Sequence, residues 1–484
     1  HLANSLWNSE RITEKGEKTK LHIPFLVLEP AKKEYRELAR FDIPELIIFS
    51  PSACTDFPIR INPFEFPRGL TVSEHISKLC QVFEGAFPIA PPAPFILDRA
   101  IQAIYEKHGW RCNDINIGVK EYPTMSELYE QFEKELQHTN YDSEIQGNIR
   151  SVLEMRIGSL LRREMKDVFD VKKSTLTPEE WMQYPIIVEL ESLGEGPANF
   201  ITLLLCTLIR ETLKATPAPN IQNEVRHVIF IEEAHNLIAS QAQTQDSQDS
   251  NPKIAATAFI VKMLAEVRAL KEGIIIADQL PTAMAAEVIK NTNIKLVHRL
   301  TSQDDRELVG STMNASALQM ENMGIYTSGQ ALFTLEKMLR PMEIQVNLVE
   351  GHEEASPDDC ELAKLMMDSS KKPIYYQLRK METLQLWEDI KERAKKVSEQ
   401  EQKAIEQFIS MNAEKITLAK LETQMDNFLT ILDGIKIMKR RLIWECEHID
   451  GHFVSDEKKK TLNDILMTFG TQYERILRNA IVTA

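Results

Sequence analysis

HVIFIEEAHNLI, residues His227–Ile238, is the most informative stretch of this sequence. It opens with a short apolar run, Val228–Ile231, of the kind that forms a strand buried on both faces of a sheet. Two carboxylates, Glu232 and Glu233, follow the run directly. In a parallel sheet such a strand delivers both acids to the carboxyl edge, where ligands bind in open α/β folds.

Further apolar runs alternate with helical segments along the chain, and this alternation predicts a mostly parallel sheet covered by helices. The expected helices include Ala198–Leu213 and Ile254–Leu270. The expected strands are Ile23–Glu29, Leu46–Phe49, Ile186–Leu190, His227–Ile231, Gly273–Ala277, Lys295–Leu300, Ala331–Leu335 and Glu343–Leu348. The predicted fold class is therefore α/β.

An apolar strand that ends in two acids is the Walker B arrangement of P-loop ATPases. In this interpretation Glu232 holds a magnesium ion, which takes only one or two carboxylates and keeps several waters. Glu233 would orient and polarise the attacking water, since phosphoryl transfer depends mainly on positioning and charge stabilisation. The alternative is a strand that happens to end in an acidic turn, because carboxylates suit the start of a helix.

A second motif, GIIIADQLPTAM at Gly273–Met284, delivers Asp278 and Gln279 to the same edge of the sheet. A polar side chain there can sense the terminal phosphate of a nucleotide. The alternative is a capping turn before the next helix, with Pro281 near its start. The position of the motif, one helix and one strand after the Walker B candidate, favours the sensor.

The phosphate-binding string G-x-x-x-x-G-K-[ST] is absent from the sequence. We expect this loop to lie upstream of His1, with residues 1–7 as the remainder of its helix, so that the chain is N-terminally incomplete. The alternative is that the protein has lost ATP binding. The strand expected at Ile23–Glu29 favours the first explanation, because it arrives where a P-loop fold needs it.

Composition excludes several classes of protein. The chain has 484 residues, with 43% apolar and 27% charged side chains, so it is not wholly disordered. Its net charge of −15 argues against a protein that coats nucleic acid, but is compatible with a narrow basic channel. Six scattered cysteines form neither a zinc pattern nor a disulfide framework, which is typical of a cytoplasmic protein. No apolar run approaches the roughly 20 residues of a membrane span.

Changes in pattern divide the chain into four expected segments. Residues 1–95 and 181–352 carry the strands of the core, and 96–180 reads as a helical insertion. Strand signals end after about residue 352, and 353–484 is charged and helical. Apolar residues at heptad spacing between Leu418 and Ile435 suggest either a bundle packed on itself or a docking platform for a partner.

Five segments in this order resemble the HerA/FtsK superfamily of ring-forming DNA-translocating ATPases, and most closely its HerA-like branch. They are FLVLEPAKKEY (25–35), RINPFEFP (60–67), VIFIEEAHNL (228–237), IIIADQLPTAM (274–284) and VHRLTSQDDRELV (297–309). The resemblance implies a RecA-like P-loop ATPase core over roughly residues 1–350. It also implies ATP and Mg²⁺ as cofactors and a homo-hexameric ring around double-stranded DNA, with a nuclease or antiphage effector as partner and no membrane.

The resemblance assigns roles to individual positions. Glu232 matches the magnesium-associated Walker B acid, usually Asp in the family, and its extra methylene lengthens the reach to the metal. Glu233 matches the catalytic glutamate and Gln279 the sensor glutamine, whereas Asp278 replaces a threonine and Leu280 an arginine.

Two arginines, Arg268 and Arg299, are candidates for the finger that stabilises the transferring phosphoryl group from a neighbouring subunit. The alternative for each is a surface salt bridge, with Glu266 or Glu272 for Arg268 and with Asp304 or Asp305 for Arg299. A basic cluster in the first part of the chain, Lys32, Lys33 and Arg36, could face a DNA pore, but solvated charges are the preferred interpretation. His235 is expected to be structural.

The leading functional hypothesis is an ATP-hydrolysing DNA translocase or helicase subunit that works with a nuclease or antiphage effector. A second hypothesis is a nucleotide-regulated scaffold that assembles and activates a partner enzyme. A third is a secretion or conjugation ATPase, which shares the same core.

Overall fold

A computed structural model describes residues 1–12, 18–51, 59–89, 91–216, 225–238, 252–348, 355–411 and 418–467, whose strands form three sheets. The strands of these residues are β1 (Glu10–Ile12), β2 (Lys18–Lys20), β3 (Phe25–Glu29), β4 (Ile47–Phe49), β5 (Ile186–Glu189), β6 (His227–Glu232), β7 (Glu272–Ala277), β8 (Lys295–Val297), β9 (Gln330–Thr334) and β10 (Met342–Gln345). β1 and β2 pair as an antiparallel hairpin.

The helices of the first 375 residues are α1 (Leu2–Asn8), α2 (Val72–Ala86), α3 (Ala93–Lys107), α4 (Met125–Gln137), α5 (Ser143–Met155), α6 (Glu164–Phe169), α7 (Glu195–Ala215), α8 (Pro252–Leu270), α9 (Ala286–Asn291), α10 (Gln303–Met313), α11 (Ala317–Asn322) and α12 (Asp359–Met366). The later helices are α13 (Pro373–Met411), α14 (Leu418–Glu447) and α15 (Asp456–Met467). Short 3-10 helices cover Glu34–Arg40, Ile157–Leu161, Glu180–Met182, Ala234–Asn236 and Pro281–Ala283.

The central sheet has five parallel strands in the order β4-β5-β3-β6-β7. All residues of β3, β4 and β5 are buried, as their apolar runs predict, and burial includes the glutamates that end β3 and β5. Because the strands are parallel, their carboxyl ends meet at one edge. The predicted α/β fold with a mostly parallel sheet is confirmed.

Helix α7 forms the apolar centre of the helical layer. Its segment Phe200–Leu213 is buried throughout, and the polar residues within it, such as Thr207 and Arg210, make hydrogen bonds. Helix α2 packs against α7 and α8, and α8 in turn contacts β7. A capping box at Thr71 and Glu74 fixes the start of α2.

The second sheet is antiparallel, in the order β10-β9-β8. Its core joins β8, β9 and α10 through Val297, Val309, Met313 and Leu332. The three strands coincide with runs that the sequence predicts, but they form a sheet of their own rather than extending the parallel one.

The chain divides into two compact units, His1–Tyr375 and Tyr376–Ala484. Residues 355–375, which the sequence groups with the helical region, therefore belong to the first unit. Side-chain contacts explain this: Arg36 Nη1 donates to Asp359 Oδ1 at 2.6 Å, and Lys372 Nζ donates to the carbonyl of Ile43 at 2.7 Å.

The second unit is helical, as the sequence predicts for this part of the chain. Its main apolar cluster includes Trp387 and Ile390 of α13, Leu442 of α14, and Leu462 of α15. Leu418 and Leu421 begin the predicted heptad pattern, but their side chains lie outside the described residues, whereas Leu432 and Ile435 are buried.

The described part of the chain contains no helix with the length and apolar character of a membrane span.

The basic cluster after β3 was expected to consist of solvated charges, and for Arg36 this expectation is wrong. Its guanidinium is only 3% exposed and contacts both carboxylate oxygens of Glu189, which is itself 1% exposed. Lys33, in contrast, pairs with Glu191 at 3.4 Å in a half-exposed position. Arg36 is thus a buried anchor rather than a solvated charge, because the strand-end acid of β5 needs a partner.

We expect Arg36→Met to lower the free energy of unfolding by roughly 3–5 kcal/mol, because it leaves Glu189 buried without its partner. Lys33→Met is the matched control and should cost less than about 1 kcal/mol, as is typical of exposed pairs. Chemical denaturation of the full chain measures both. Equal effects of the two substitutions would contradict the assignment of Arg36 as a buried anchor.

Candidate active site

The carboxyl ends of β3, β6 and β7 bring acidic and amide side chains to one edge of the sheet. Leu28 pairs with Ile231, so Glu29 and Glu232 follow as neighbours on adjacent strands. Glu232 pairs with Ala277, the last residue of β7, so the residues that follow these two strands are also neighbours. The structure thus brings together the motifs at residues 227–238 and 273–284, which are separate in the sequence.

Glu232 sits at the end of β6 and accepts a short hydrogen bond on Oε1 from the hydroxyl of Tyr35. Burial raises the pKa of Glu232, and repulsion from Glu233 and Glu34 adds to the effect, while the bond from Tyr35 opposes it. A carboxylate in these surroundings gains from a nearby cation, which would offset both burial and repulsion.

Glu233 adopts a left-handed backbone conformation, with φ 47° and ψ 48°. Such a conformation costs about 1–3 kcal/mol for a residue with a Cβ, and strain of this kind concentrates at functional sites. Gln279 Nε2 donates to Glu233 Oε1 at 2.9 Å, which joins the proposed catalytic acid to the proposed sensor. The side chain of Glu233 is 18% exposed, so solvent reaches it.

Both carboxylate oxygens of Asp278 accept hydrogen bonds from nearby residues of the chain. Its Oδ2 accepts from the backbone N–H of His235 at 2.7 Å and lies 3.0 Å from the Nδ1 of the same residue. Its Oδ1 accepts from the backbone N–H of Leu280 at 2.7 Å. Asp278 therefore ties the turn after β6 to the turn after β7, and a contact of Asp278 with nucleotide stays a prediction. His235 is structural in the same sense.

Glu29 is a buried carboxyl group that the sequence analysis does not single out. Its Oε1 accepts from the backbone N–H of Glu34 at 2.7 Å, and its Oε2 has no hydrogen-bond partner among the described residues. Burial, with repulsion from Glu189 and Glu232, raises the pKa of Glu29 to about 8, against the backbone N–H bonds that lower it. The sequence contains a feature that could have identified Glu29, because this residue ends an apolar run just as Glu232 does.

A cavity of about 560 Å³ opens beside these side chains. Residues 1–4 form part of its wall, at the start of α1, and the interpretation of that helix as the remainder of a phosphate-loop helix stays a prediction. Small-molecule sites commonly have volumes of about 300–1,000 Å³, so a nucleotide-sized ligand fits this space. The lining includes Glu29, Tyr35, Glu232, Glu233, Gln279, Phe230, Ile275 and Ala277.

Neither candidate finger lines the described cavity. Arg268 is exposed near the end of α8, next to the amino end of β7 and hence away from the carboxyl edge. Arg299 is exposed and donates through Nε to the carbonyl of Gly324 at 3.2 Å. The salt-bridge partners suggested for Arg268 are engaged elsewhere, since Glu266 binds Arg210 and Glu272 contacts His227. Both arginines stay candidates for a contact across a subunit boundary.

Among the described residues, one cluster of side chains and one single carboxylate could bind a cation. The ligand atoms of Glu233, His235 and Asp278 lie within 4.8 Å of one another. An imidazole ligand suits transition metals better than magnesium, and two members of this group already bond each other. Glu232, with one oxygen left over by Tyr35, is the better match to a hard, oxygen-preferring ion such as Mg²⁺.

Comparison with known proteins gives structural likenesses of low identity. No protein-family profile and no curated protein matches the sequence. VirB4 of Thermoanaerobacter pseudethanolicus is 18% identical with a TM-score of 0.49, over 68% of this chain and 82% of that one. The plasmid coupling protein TrwB in complex with ADP and Mg²⁺ is 10% identical with a TM-score of 0.47, over 70% and 81% respectively. Because these TM-scores lie below 0.5, nothing about activity is taken from them.

A smaller structure aligns with about a third of this chain. The genome packaging NTPase B204 from Sulfolobus turreted icosahedral virus 2, in complex with ATP-gammaS, is 13% identical with a TM-score of 0.26. It covers 36% of this chain and 74% of its own. This likeness also says nothing about function.

We expect Glu29→Gln to change how stability depends on pH. The folded state holds a proton on Glu29 up to pH about 8, whereas the unfolded state loses it near pH 4.5. The wild-type protein therefore loses stability relative to the variant as pH rises from about 5 to 8, on the order of 3–5 kcal/mol in total. Thermal denaturation at a series of pH values measures this, with the exposed Glu34→Gln as a control for lost charge. Parallel profiles for wild type and Glu29→Gln would contradict the expectation.

Proposed function

We propose that this chain is an ATP-hydrolysing, Mg²⁺-dependent subunit of a HerA-like DNA translocase or helicase. The observation that carries the proposal is the geometry at the ends of β6 and β7. Two consecutive carboxylates, one bonded by Tyr35 and the other by Gln279, face a cavity of nucleotide size. This is the constellation that metal-assisted attack of water on a phosphoryl group requires.

The chemistry divides between the two acids. Glu232 would hold Mg²⁺ through its unengaged oxygen, directly or through water, and the ion would neutralise charge on the phosphate oxygens. Glu233 would accept a hydrogen bond from the attacking water and orient it toward the phosphorus. Gln279 fixes the direction of the Glu233 carboxylate, and the second N–H of its amide nitrogen is left to donate to a terminal phosphate.

Assembly and DNA binding are the finer part of the proposal, and the ordered family-like segments support them. A homo-hexameric ring would place Arg268 or Arg299 near the site of a neighbouring subunit. Double-stranded DNA would pass through the pore, and because the chain carries a net charge of −15, contact would be confined to a small basic lining. A nuclease or antiphage effector would use the translocated DNA.

A second candidate is a nucleotide-regulated scaffold that activates a partner enzyme. The helical second unit favours it, since Ile437 and Trp444 of α14 are 68% and 59% exposed. ATP hydrolysis that rises with added duplex DNA would support the translocase. A rate of ATP hydrolysis that is unchanged by DNA but changes when a co-purified effector is present would support the scaffold.

We expect Glu233→Gln to reduce the rate of ATP hydrolysis by roughly 10²–10⁴-fold, because the amide cannot accept a proton from water. Nucleotide binding should persist, since the substitution preserves size and shape. Glu287→Gln, on the exposed side of α9, is the matched control and should hydrolyse ATP like the wild type. Undiminished hydrolysis by Glu233→Gln would overturn the proposed function.

A further inference from the structure

The short 3-10 helix Glu34–Arg40 lies across the carboxyl ends of three parallel strands. Three consecutive residues of this helix each form a hydrogen bond with the acid at the end of a different strand. Glu29 of β3 accepts from the backbone N–H of Glu34, and Glu189 of β5 accepts from the Arg36 guanidinium, at 2.7 and 2.8 Å. The hydroxyl of Tyr35, between them, donates to Glu232 of β6. The residues on either side of Tyr35 are therefore both held, Glu34 through its backbone and Arg36 through its side chain.

The ring of Tyr35 is also held in place by β6 itself. It packs edge-on against Phe230, with ring centroids 6.3 Å apart and planes at 65°. Side chains two residues apart on a strand share a face, so a ring seated on Phe230 brings its hydroxyl to Glu232. Burial and the neighbouring carboxylates raise the pKa of Tyr35 above its ordinary value of 10, so the hydroxyl remains a donor.

We propose that Tyr35 is a positioning residue for the metal ligand of this site: it fixes Oε1 of Glu232 so that Oε2 is presented to Mg²⁺. The inference rests on the proposed function. Glutamate has one more rotatable bond than the aspartate usual at this position, and the Tyr35 bond restrains that extra freedom. Gln279 holds Glu233 from the β7 side in the same way, so each of the two acids is anchored through one oxygen from the opposite direction.

The direct test is binding of Mn²⁺, a paramagnetic substitute for Mg²⁺, to the full chain in the presence of ATP, followed by electron paramagnetic resonance. Tyr35→Phe keeps the ring against Phe230 and removes only the hydroxyl. We expect it to weaken Mn²⁺ binding roughly tenfold, as is typical when a partner of a metal ligand is lost. It should also raise the Mg²⁺ concentration needed for half-maximal hydrolysis by a similar factor.

Tyr326→Phe is the matched control, because Tyr326 also donates its hydroxyl to a glutamate, Glu343 Oε1 at 3.1 Å, in the antiparallel sheet. It should leave the Mn²⁺ affinity at the wild-type value. A loss of affinity in both variants would show a general effect of removing a hydroxyl and would overturn the inference.

Glu232→Gln separates failure of the inference from failure of the proposed function. If Glu232→Gln abolishes Mn²⁺ binding while Tyr35→Phe binds like the wild type, Tyr35 does not position the ligand and the proposed function stands. If Mn²⁺ binding is unchanged by Glu232→Gln, the metal assignment fails and the inference fails with it.

Discussion

Parallel pairing of β3, β6 and β7 is the constraint on which the site depends. Parallel strands end at the same edge, so the residues after each of them become neighbours although they are far apart in sequence. The register is specific: Glu232 lies opposite Ala277, and a slip of one residue would turn its side chain to the other face of the sheet.

Gathering carboxylates at one edge creates repulsion, and the structure offsets it with a separate donor for each acid. Glu189 has Arg36, Glu232 has Tyr35, and Glu233 has Gln279. Asp278 takes backbone N–H groups, while Glu29 has only one oxygen engaged. Repulsion that remains after these bonds is what a bound cation would relieve, so this arrangement of carboxylates favours metal binding.

Local pattern was sufficient to predict strands β3 to β10, the buried helix α7, and the acids Glu232 and Glu233, because apolar runs specify buried strands directly. It did not predict the exposed hairpin of β1 and β2, which has no apolar run. It was not sufficient for Arg36, whose partners Glu189 and Asp359 lie 153 and 323 residues away in sequence. The use of Asp278 was missed for a similar reason, since its contacts with His235 reach the turn after a different strand. Tyr35 lies inside a recognisable segment, but nothing in the sequence shows that its hydroxyl reaches β6.

The central claim is that ATP and Mg²⁺ bind at the carboxyl edge of the parallel sheet. A cryo-electron microscopy structure of the full chain with Mg²⁺ and a non-hydrolysable ATP analogue tests it most directly. We expect the terminal phosphate in the cavity, the metal beside Glu232 directly or through one water, and Glu233 facing the phosphorus. Nucleotide bound elsewhere, or a cavity that stays empty at saturating analogue, would contradict the account.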